Sequence, residues 1–356
     1  GGAASLSPEI RARLAGMDMI IAAPRFHGDL PDGPEVQVWP SPFSHIYNIL
    51  KTNSKKSLAL LATGDPMWFG AGASLVRRLG PDACEVVPAV SGLQLAAARL
   101  GWPMAACRVV SIHGRPVGSF GAALHPRARL LVIAQDGGSP QQVAQLLAAR
   151  GYGRARLHVL AHLDGAGESR IDGTAHDWSH DRVPDFHIMG VECPDAGPVA
   201  HGLAAPDSGF DNDGKLTKRD ARASALAKLA PFPEAVLWDI GSGSGAVSVD
   251  FLRNAPRGTA YAIDRSRAQL DRAVANAGTH GVTGLVPVEG DVADALAGLP
   301  RPDAVFIGGG MSEAVITAAQ AAVRPGGWLV AHAVTIESES VLIAAWQRSG
   351  GDLVRL

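Results

Sequence analysis

The apolar run Ala235-Val236-Leu237-Trp238 leads directly into Asp239-Ile240-Gly241-Ser242-Gly243-Ser244-Gly245, and no other stretch constrains the fold of this chain as much. A strand that feeds three alternating glycines can bring bare backbone amides, and then a helix N-terminus, close against a nucleotide-like ligand. Upstream, Thr217 precedes a helical pattern over 218–229. Strand-like runs begin near 235, 259, 285, 303 and 327, with helical patterns between them. That alternation predicts a doubly wound parallel sheet for the second half of the chain.

Two ligands compete for the loop. Gly241, Gly243 and Ala246 satisfy the G-x-G-x-x-G/A dinucleotide pattern, and Asp264 lies near the ribose-binding offset of about twenty residues. This is the reading of an NAD(P)-dependent oxidoreductase that uses the glycine loop at 241–245. Against it, Asp239 inside the turn and Asp264 at the end of the next apolar run suit a cationic, adenosine-bearing cofactor, and S-adenosylmethionine fits. Gly290-Asp291-Val292 then ends a third strand-like segment, and Asp303-Ala304-Val305-Phe306-Ile307-Gly308-Gly309-Gly310 forms a fourth. In that order these features resemble class I methyltransferases, and we favour that reading; the oxidoreductase remains the alternative.

A chain of 356 residues, 47% hydrophobic, has length for two or three domains and enough apolar surface for real cores. Net charge is −2 and the 32 Lys and Arg are spread along the chain, so neither a nucleic-acid nor a membrane partner is expected. The three cysteines, Cys84, Cys107 and Cys193, are far apart and contain no C-x-x-C pair, which points away from a zinc site and toward a reducing cytosol. No apolar run approaches the roughly eighteen residues of a membrane span, and no signal core follows the first residues. Both ends read as cut: Gly1-Gly2 leads into a helix start at Ser7-Pro8-Glu9 with no preceding strand, and 352–356 stops where another strand is expected.

The first half is read as an α/β domain. Apolar runs at 19–22, 57–62, 84–87 and 130–133 predict strands. Helices are expected over 93–100, stopped by Gly101, and from Ser139-Pro140 to 149, stopped by Gly151. Pro- and Gly-punctuated segments at 193–198 and 205–209 surround a stretch without apolar periodicity. The boundaries expected are a first domain over 1–200, a linker over 201–213 and a second domain over 214–356.

Directly after an apolar strand comes Thr63-Gly64-Asp65-Pro66-Met67-Trp68-Phe69-Gly70-Ala71-Gly72, followed by Pro88-Ala89-Val90-Ser91-Gly92-Leu93-Gln94-Leu95-Ala96-Ala97-Ala98. Gly64 permits a tight exit from the strand, Asp65 can accept hydrogen bonds from cofactor or backbone, and Pro66 stiffens the loop. The pair resembles the G-D-P loop and the turn before a Gln-bearing helix in the tetrapyrrole (class III) methylases. In the second half, Phe210-Asp211-Asn212-Asp213-Gly214-Lys215-Leu216-Thr217-Lys218-Arg219-Asp220-Ala221-Arg222 and Leu237-Trp238-Asp239-Ile240-Gly241 complete the resemblance. Nearly the whole chain is similar to the fused, decarboxylating C-methyltransferases of cobalamin biosynthesis.

That resemblance implies an N-terminal tetrapyrrole methylase fold followed by a Rossmann-like class I domain. It implies S-adenosylmethionine as cofactor and a small-molecule tetrapyrrole (precorrin) as substrate. One methyl would go to carbon 5 and one to carbon 15, with loss of carbon dioxide from the ring C acetate in the second domain. The implied cofactor contacts are Thr217, Gly241, Ser242, Gly243, Ser244, Gly245, Asp264 and Val292 in the second domain, and Asp65, Met67, Phe69, Ser91 and Gly92 in the first. Two positions depart from the family: Ala89 stands where glycine is common, and Gly92 where serine is common. A homo-oligomer is implied as well.

The chemistry requires an electron-rich carbon to attack a sulfonium methyl in line, so two reactants must be positioned and water excluded; no nucleophilic side chain is needed. No residue is assigned to proton transfer. Lys218, Arg219 and Arg222 are candidates to grip substrate carboxylates, or else form a solvated basic helix start. His113, after a strand, is a candidate substrate contact or a turn histidine. His158 and His162, and His176 and His180, are four apart, but the first pair alternates like a strand and the second lies in a polar loop, so no metal site is expected.

Overall fold

The computed structural model describes residues 6–198, 202–296 and 298–356. Grouping by contact divides the chain into two units. The first comprises Gly1–His113, Ala128–Ala144 and Arg154–Glu192; the second comprises Gly114–Arg127, Gln145–Gly153 and Cys193–Leu356.

The first unit holds two sheets. Strands β1 (Met19–Ala22), β2 (Glu35–Val38) and β3 (Leu58–Leu60) form a parallel three-stranded sheet in the order β2-β1-β3. The central strand β1 is buried throughout, as its unbroken apolar sequence requires. Strands β4 (Arg108–Ser111), β5 (Arg129–Ile133), β6 (Arg156–Ala161), β7 (Ser169–Thr174) and β8 (His187–Glu192) form a mixed sheet in the order β4-β5-β8-β6-β7. Only the β4–β5 pair is parallel. The helix Gly92–Leu100 packs its Leu93, Ala96 and Ala97 on this sheet. A capping box between Ser91 and Gln94 starts it, and Gly101 in the left-handed region ends it.

The strand expected at 84–87 is absent. Cys84–Val87 carries no ladder: it follows the 3₁₀ turn Pro81–Ala83, no strand among the described residues lies beside it to pair with, and Pro88 supplies no backbone donor for pairing to continue. Strands β2, β7 and β8 escaped the sequence reading, because β2 and β7 are largely exposed edges with little apolar alternation and β8 is interrupted by Gly190.

In the second unit, β9 (Val236–Ile240), β10 (Thr259–Asp264), β11 (Leu285–Glu289), β12 (Ala304–Ile307) and β13 (Trp328–Ala331) form an all-parallel sheet, order β11-β10-β9-β12-β13. The five expected strand positions are all occupied. Pro287 is tolerated because β11 is an edge. Alternation divides the core: Leu237, Ala304 and Phe306 pack on one face with Leu226, Leu229 and Phe251, while Trp238, Ile240, Val305 and Ile307 pack on the other with Val315 and Ile316. The strand order reverses between β9 and β12, so a crevice opens at the C-terminal end of β9, where the glycine loop begins.

From residue 202 onward, the segment read as a linker is docked on the second unit. Ala204 and Ala205 are buried, and Phe210 packs with Leu216, Ala246 and Ala277. Short apolar residues without periodicity hid this contact from the sequence. Among the described residues no helix is long and apolar enough to cross a membrane.

Candidate functional site

The turn after β9 is built around its glycines. The N–H groups of Gly241 and Ser242 both donate to the Ile263 carbonyl, at 2.9 and 3.1 Å, tying the loop to β10. Gly241, Gly243 and Gly245 all have positive φ. A Cβ at Gly241 would stand 2.6 Å from the Gly309 backbone, and one at Gly245 2.5 Å from the Ala273 Cβ. At Gly243 a Cβ would meet nothing within 4 Å, so this peptide faces open space. The helix Ala246–Asn254 follows with its N-terminus at the same crevice.

Two acids frame the loop. Asp264 Oδ2 accepts from Gly243 N–H and Oδ1 from Ser266 N–H, both at 2.9 Å, so the carboxylate is fixed at the rim with lone pairs to spare. Asp239 is buried, and its Oδ2 accepts from Ser248 N–H at 3.0 Å and Ser248 Oγ–H at 2.6 Å. Its Oδ1, like the buried Ser242 Oγ, has no hydrogen-bond partner among the described residues. Burial, with a smaller contribution from the charge of Asp264, pushes the Asp239 carboxyl up to about 6. The cavity bounded by Asp239 and the loop is completed by Lys215, Leu216, Thr217, Phe306 and Gly308. An unpaired carboxylate oxygen in such a place favours a cationic occupant. Gly290 N–H donates to the Asp264 carbonyl at 3.2 Å, which carries Val292 toward the same end of the sheet.

In the first unit the G-D-P loop and the 88–92 turn are stitched together. Asp65 Oδ1 accepts from the N–H groups of Met67 and Trp68 at 2.8 and 3.1 Å, and Oδ2 from Ala89 N–H at 3.4 Å. Gly64 is close-packed: a Cβ there would be 3.1 Å from Ser91 Cα. Gly70 and Gly72 lie against the Pro66 carbonyl, where added Cβ atoms would come within 2.6 and 2.7 Å. Met67, Trp68 and Phe69 are left exposed, with Phe69 at positive φ.

Two family models match the chain: tetrapyrrole (corrin/porphyrin) methylases over residues 43–177 and a precorrin methyltransferase domain over residues 208–356. A precorrin-6Y C(5,15)-methyltransferase [decarboxylating] of Sinorhizobium sp is 40% identical over 326 residues, covering 90% of this chain and 79% of the relative. The chain belongs to the precorrin-6Y C(5,15)-methyltransferase (decarboxylating) family. A second member, from Mycobacterium tuberculosis (strain CDC 1551 / Oshkosh), is 36% identical over 358 residues, covering 99% of this chain and 90% of its own length. The solved C-terminal domain of the family member from Rhodobacter capsulatus is 40% identical over 44% of this chain and 85% of that chain, with a TM-score of 0.41. The N-terminal half has the tetrapyrrole methylase fold and the C-terminal half the class I methyltransferase fold. Both matched families are methylases, and the dinucleotide reading of the loop is set aside.

The structure brings Thr217, Gly241, Ser242, Gly243 and Ser244 around one cavity, with Asp264 hydrogen-bonded to that loop. It ties the loop of Asp65, Met67 and Phe69 to the turn of Ser91 and Gly92 through Asp65 and Gly64, although Asp65 and Ser91 spend their side chains on backbone N–H groups and so shape loops. Lys218 and Arg219 are exposed at the start of the helix Arg219–Leu229, and His113 is an exposed turn residue.

Arg222 is the correction. It is fully buried, and donates to Asp250 Oδ2 at 2.8 Å, to Asp207 Oδ1 at 2.9 Å and to the carbonyls of Thr217 and Ala205, with Phe210 against its guanidinium. Its donors are committed to the fold, so it does not grip substrate. One helical turn separates it from exposed Lys218, and only tertiary packing distinguishes the two.

Sequence reasoning missed Asn276. Buried in the helix Arg267–His280, it donates to the carbonyls of Ser244 and Asp211, each at 2.9 Å, and accepts from Asp211 N–H at 2.9 Å. The available signal was an amide on the apolar stripe of Ala273 and Ala277. Asn276→Ala leaves several buried groups unpaired, and we expect it to lower stability by about 1–3 kcal/mol and to weaken S-adenosylhomocysteine binding in the second unit. Urea midpoints and calorimetry check both, and unchanged values in each would remove Asn276 from the loop's support.

His158 and His162 lie on and just beyond β6, where His158 Nδ1 meets Asp172 at 2.7 Å, and His176 and His180 lie in the loop after β7. Among the described residues no group of three or more His, Cys, Asp or Glu side chains is placed to hold a metal ion.

Proposed function

We propose that this chain methylates precorrin-6B at carbons 5 and 15, with S-adenosylmethionine as donor, and decarboxylates the ring C acetate to give precorrin-8 in cobalamin biosynthesis. The observation that carries the cofactor is the unpaired, buried Asp239 Oδ1 beside a bare glycine turn. That arrangement fits a ligand with both a cationic group and an adenosine. In this reading Asp264 holds the ribose hydroxyls, the turn 241–245, whose glycines let the backbone come close, and Thr217 line the donor, and Val292 packs toward the adenine. In the first unit, Met67, Phe69 and the backbone of 91–92 receive the second donor. The domains proposed are 1–200 and 214–356, joined by the docked segment that begins at 202.

The donor supplies an electrophilic methyl on a sulfonium. The residues of the chain hold the acceptor carbon in line with it and keep water away. Each methylation forms one carbon–carbon bond from an electron pair of the macrocycle and breaks one carbon–sulfur bond. Decarboxylation breaks the bond to the carboxyl carbon, releases carbon dioxide and passes the electron pair to the conjugated ring, and the remaining carbon takes one proton from solvent to become a methyl group; desolvating the acetate near steadying donors favours the bond breaking. Lys218 and Arg219, exposed beside the second cavity's Thr217, are the cations proposed to meet substrate carboxylates.

The test is mass spectrometry of the product formed from precorrin-6B with a methyl-deuterated donor. The expected product carries two labelled methyl groups and has lost one carbon dioxide. A product with neither change, from protein shown to bind S-adenosylhomocysteine, overturns the proposal.

A further inference from the structure

Beyond the C-terminal ends of β1 and β3 in the first unit lies a cavity bounded by Ala23, Trp39, Leu61, Thr63 and Phe69, and Arg25 stands in its wall. This is the end of a parallel sheet at which ligands are received. The Arg25 guanidinium carbon is 4.6 Å from the Phe26 ring centre and 4.8 Å from that of Phe186, and it donates to Thr63 Oγ1. Two rings and a hydroxyl therefore hold the guanidinium, and the ordering of a long side chain is already complete before any ligand arrives. Among the described residues no carboxylate lies within ion-pair distance of it. Partial desolvation lowers its pKa, so its charge gains from an anionic neighbour.

The walls narrow the choice of anion. Trp39, anchored by Nε1–H to the Leu61 carbonyl at 3.1 Å, and exposed Phe69 offer aromatic surface, and no acid lines the cavity. The amino-acid end of a sulfonium donor would bring an ammonium with its carboxylate, and no acid lines the cavity to balance that charge. A carboxylate on an apolar ring brings no such charge. We propose that Arg25 binds an acetate or propionate side chain of the macrocycle, with Trp39 receiving the ring edge beside it. The assignment rests on the reading that the first unit methylates a tetrapyrrole.

The test uses the full chain with an octacarboxylate porphyrin as probe, read by quenching of tryptophan fluorescence, and S-adenosylhomocysteine as the second probe, read by calorimetry. Arg25→Gln is expected to weaken porphyrin binding about tenfold or more, the worth of a hydrogen-bonded charge, and to leave both S-adenosylhomocysteine equivalents intact. Arg25→Lys keeps the charge but loses the planar fork, and is expected to fall between the two. With precorrin-6B, Arg25→Gln is expected to raise KM and to release a product methylated once. Equal porphyrin affinity in wild type and Arg25→Gln overturns the assignment, and loss of one S-adenosylhomocysteine equivalent transfers Arg25 to the donor and overturns it as well. A wild-type protein that binds no porphyrin and methylates no precorrin brings down the proposed function first.

Discussion

Replacing Arg222 by alanine is expected to unfold the second unit or bring it close to unfolding. The side chain is fully buried beside the fully buried carboxylate of Asp250, which also accepts from Arg253 at 2.7 Å and from Ala205 N–H at 3.1 Å. Arg253 stays on Asp250 Oδ1, but Oδ2 loses its charged partner in a medium that solvates it poorly, at a cost of up to about 3–5 kcal/mol. A domain of this size has only about 5–15 kcal/mol in total. The loss also releases the Thr217 and Ala205 carbonyls, and so loosens both the docked segment and the cavity wall. Circular dichroism on urea titration reads the effect as a lowered midpoint for the second unit. A variant with the wild-type midpoint and a raised KM for the tetrapyrrole would restore Arg222 to the substrate.

The second large effect separates stability from binding. Asp239→Asn is expected to make the ligand-free protein more stable at neutral pH and to abolish productive methylation by the second unit. Asparagine can still accept from Ser248 N–H, and it removes an ionised group from a site that raises its pKa to about 6. Between the unfolded value near 4 and the folded value near 6, the native state binds more protons than the unfolded chain, so raising pH across that window destabilises the wild type. Above it the penalty stays at about 3 kcal/mol, in proportion to the displacement. Thermal melts from pH 4 to 7.5 should show the wild type losing stability relative to Asp239→Asn up to pH 6, then a constant gap. Calorimetry should show affinity for S-adenosylmethionine in the second unit falling about a hundredfold, the scale for removing a buried charged partner. Parallel melting curves with full affinity would mean that Asp239 serves only the helix.

These two residues show what the chain displays and what it hides. Asp239 was legible because it sits in a local pattern: an apolar strand, then an acid and three glycines, in eleven residues describe a turn whose conformation depends on its own backbone. The five parallel strands, the helix stop at Gly101 and the G-D-P loop were legible for the same reason, since period, caps and turns act over a few residues. Edge strands β2 and β7 lacked that signal because half-solvated edges tolerate polar sequence, and the run at 84–87 had strand composition but no neighbour to pair with.

By itself the sequence determined two α/β halves, the glycine turn with its two acids, and the methylase family. Only the tertiary structure decided which charges face a ligand and which are spent inside. Arg222 meets Asp250 across 28 positions of chain, Asn276 meets Ser244 across 32, and Arg25 stands between Phe26 and the ring of Phe186, 161 positions away, without an acid to neutralise it. The physical reason is that an arginine's role depends on what the fold places around its guanidinium. Long-range packing sets that, whereas the preference of a glycine for a left-handed turn is carried within the residue.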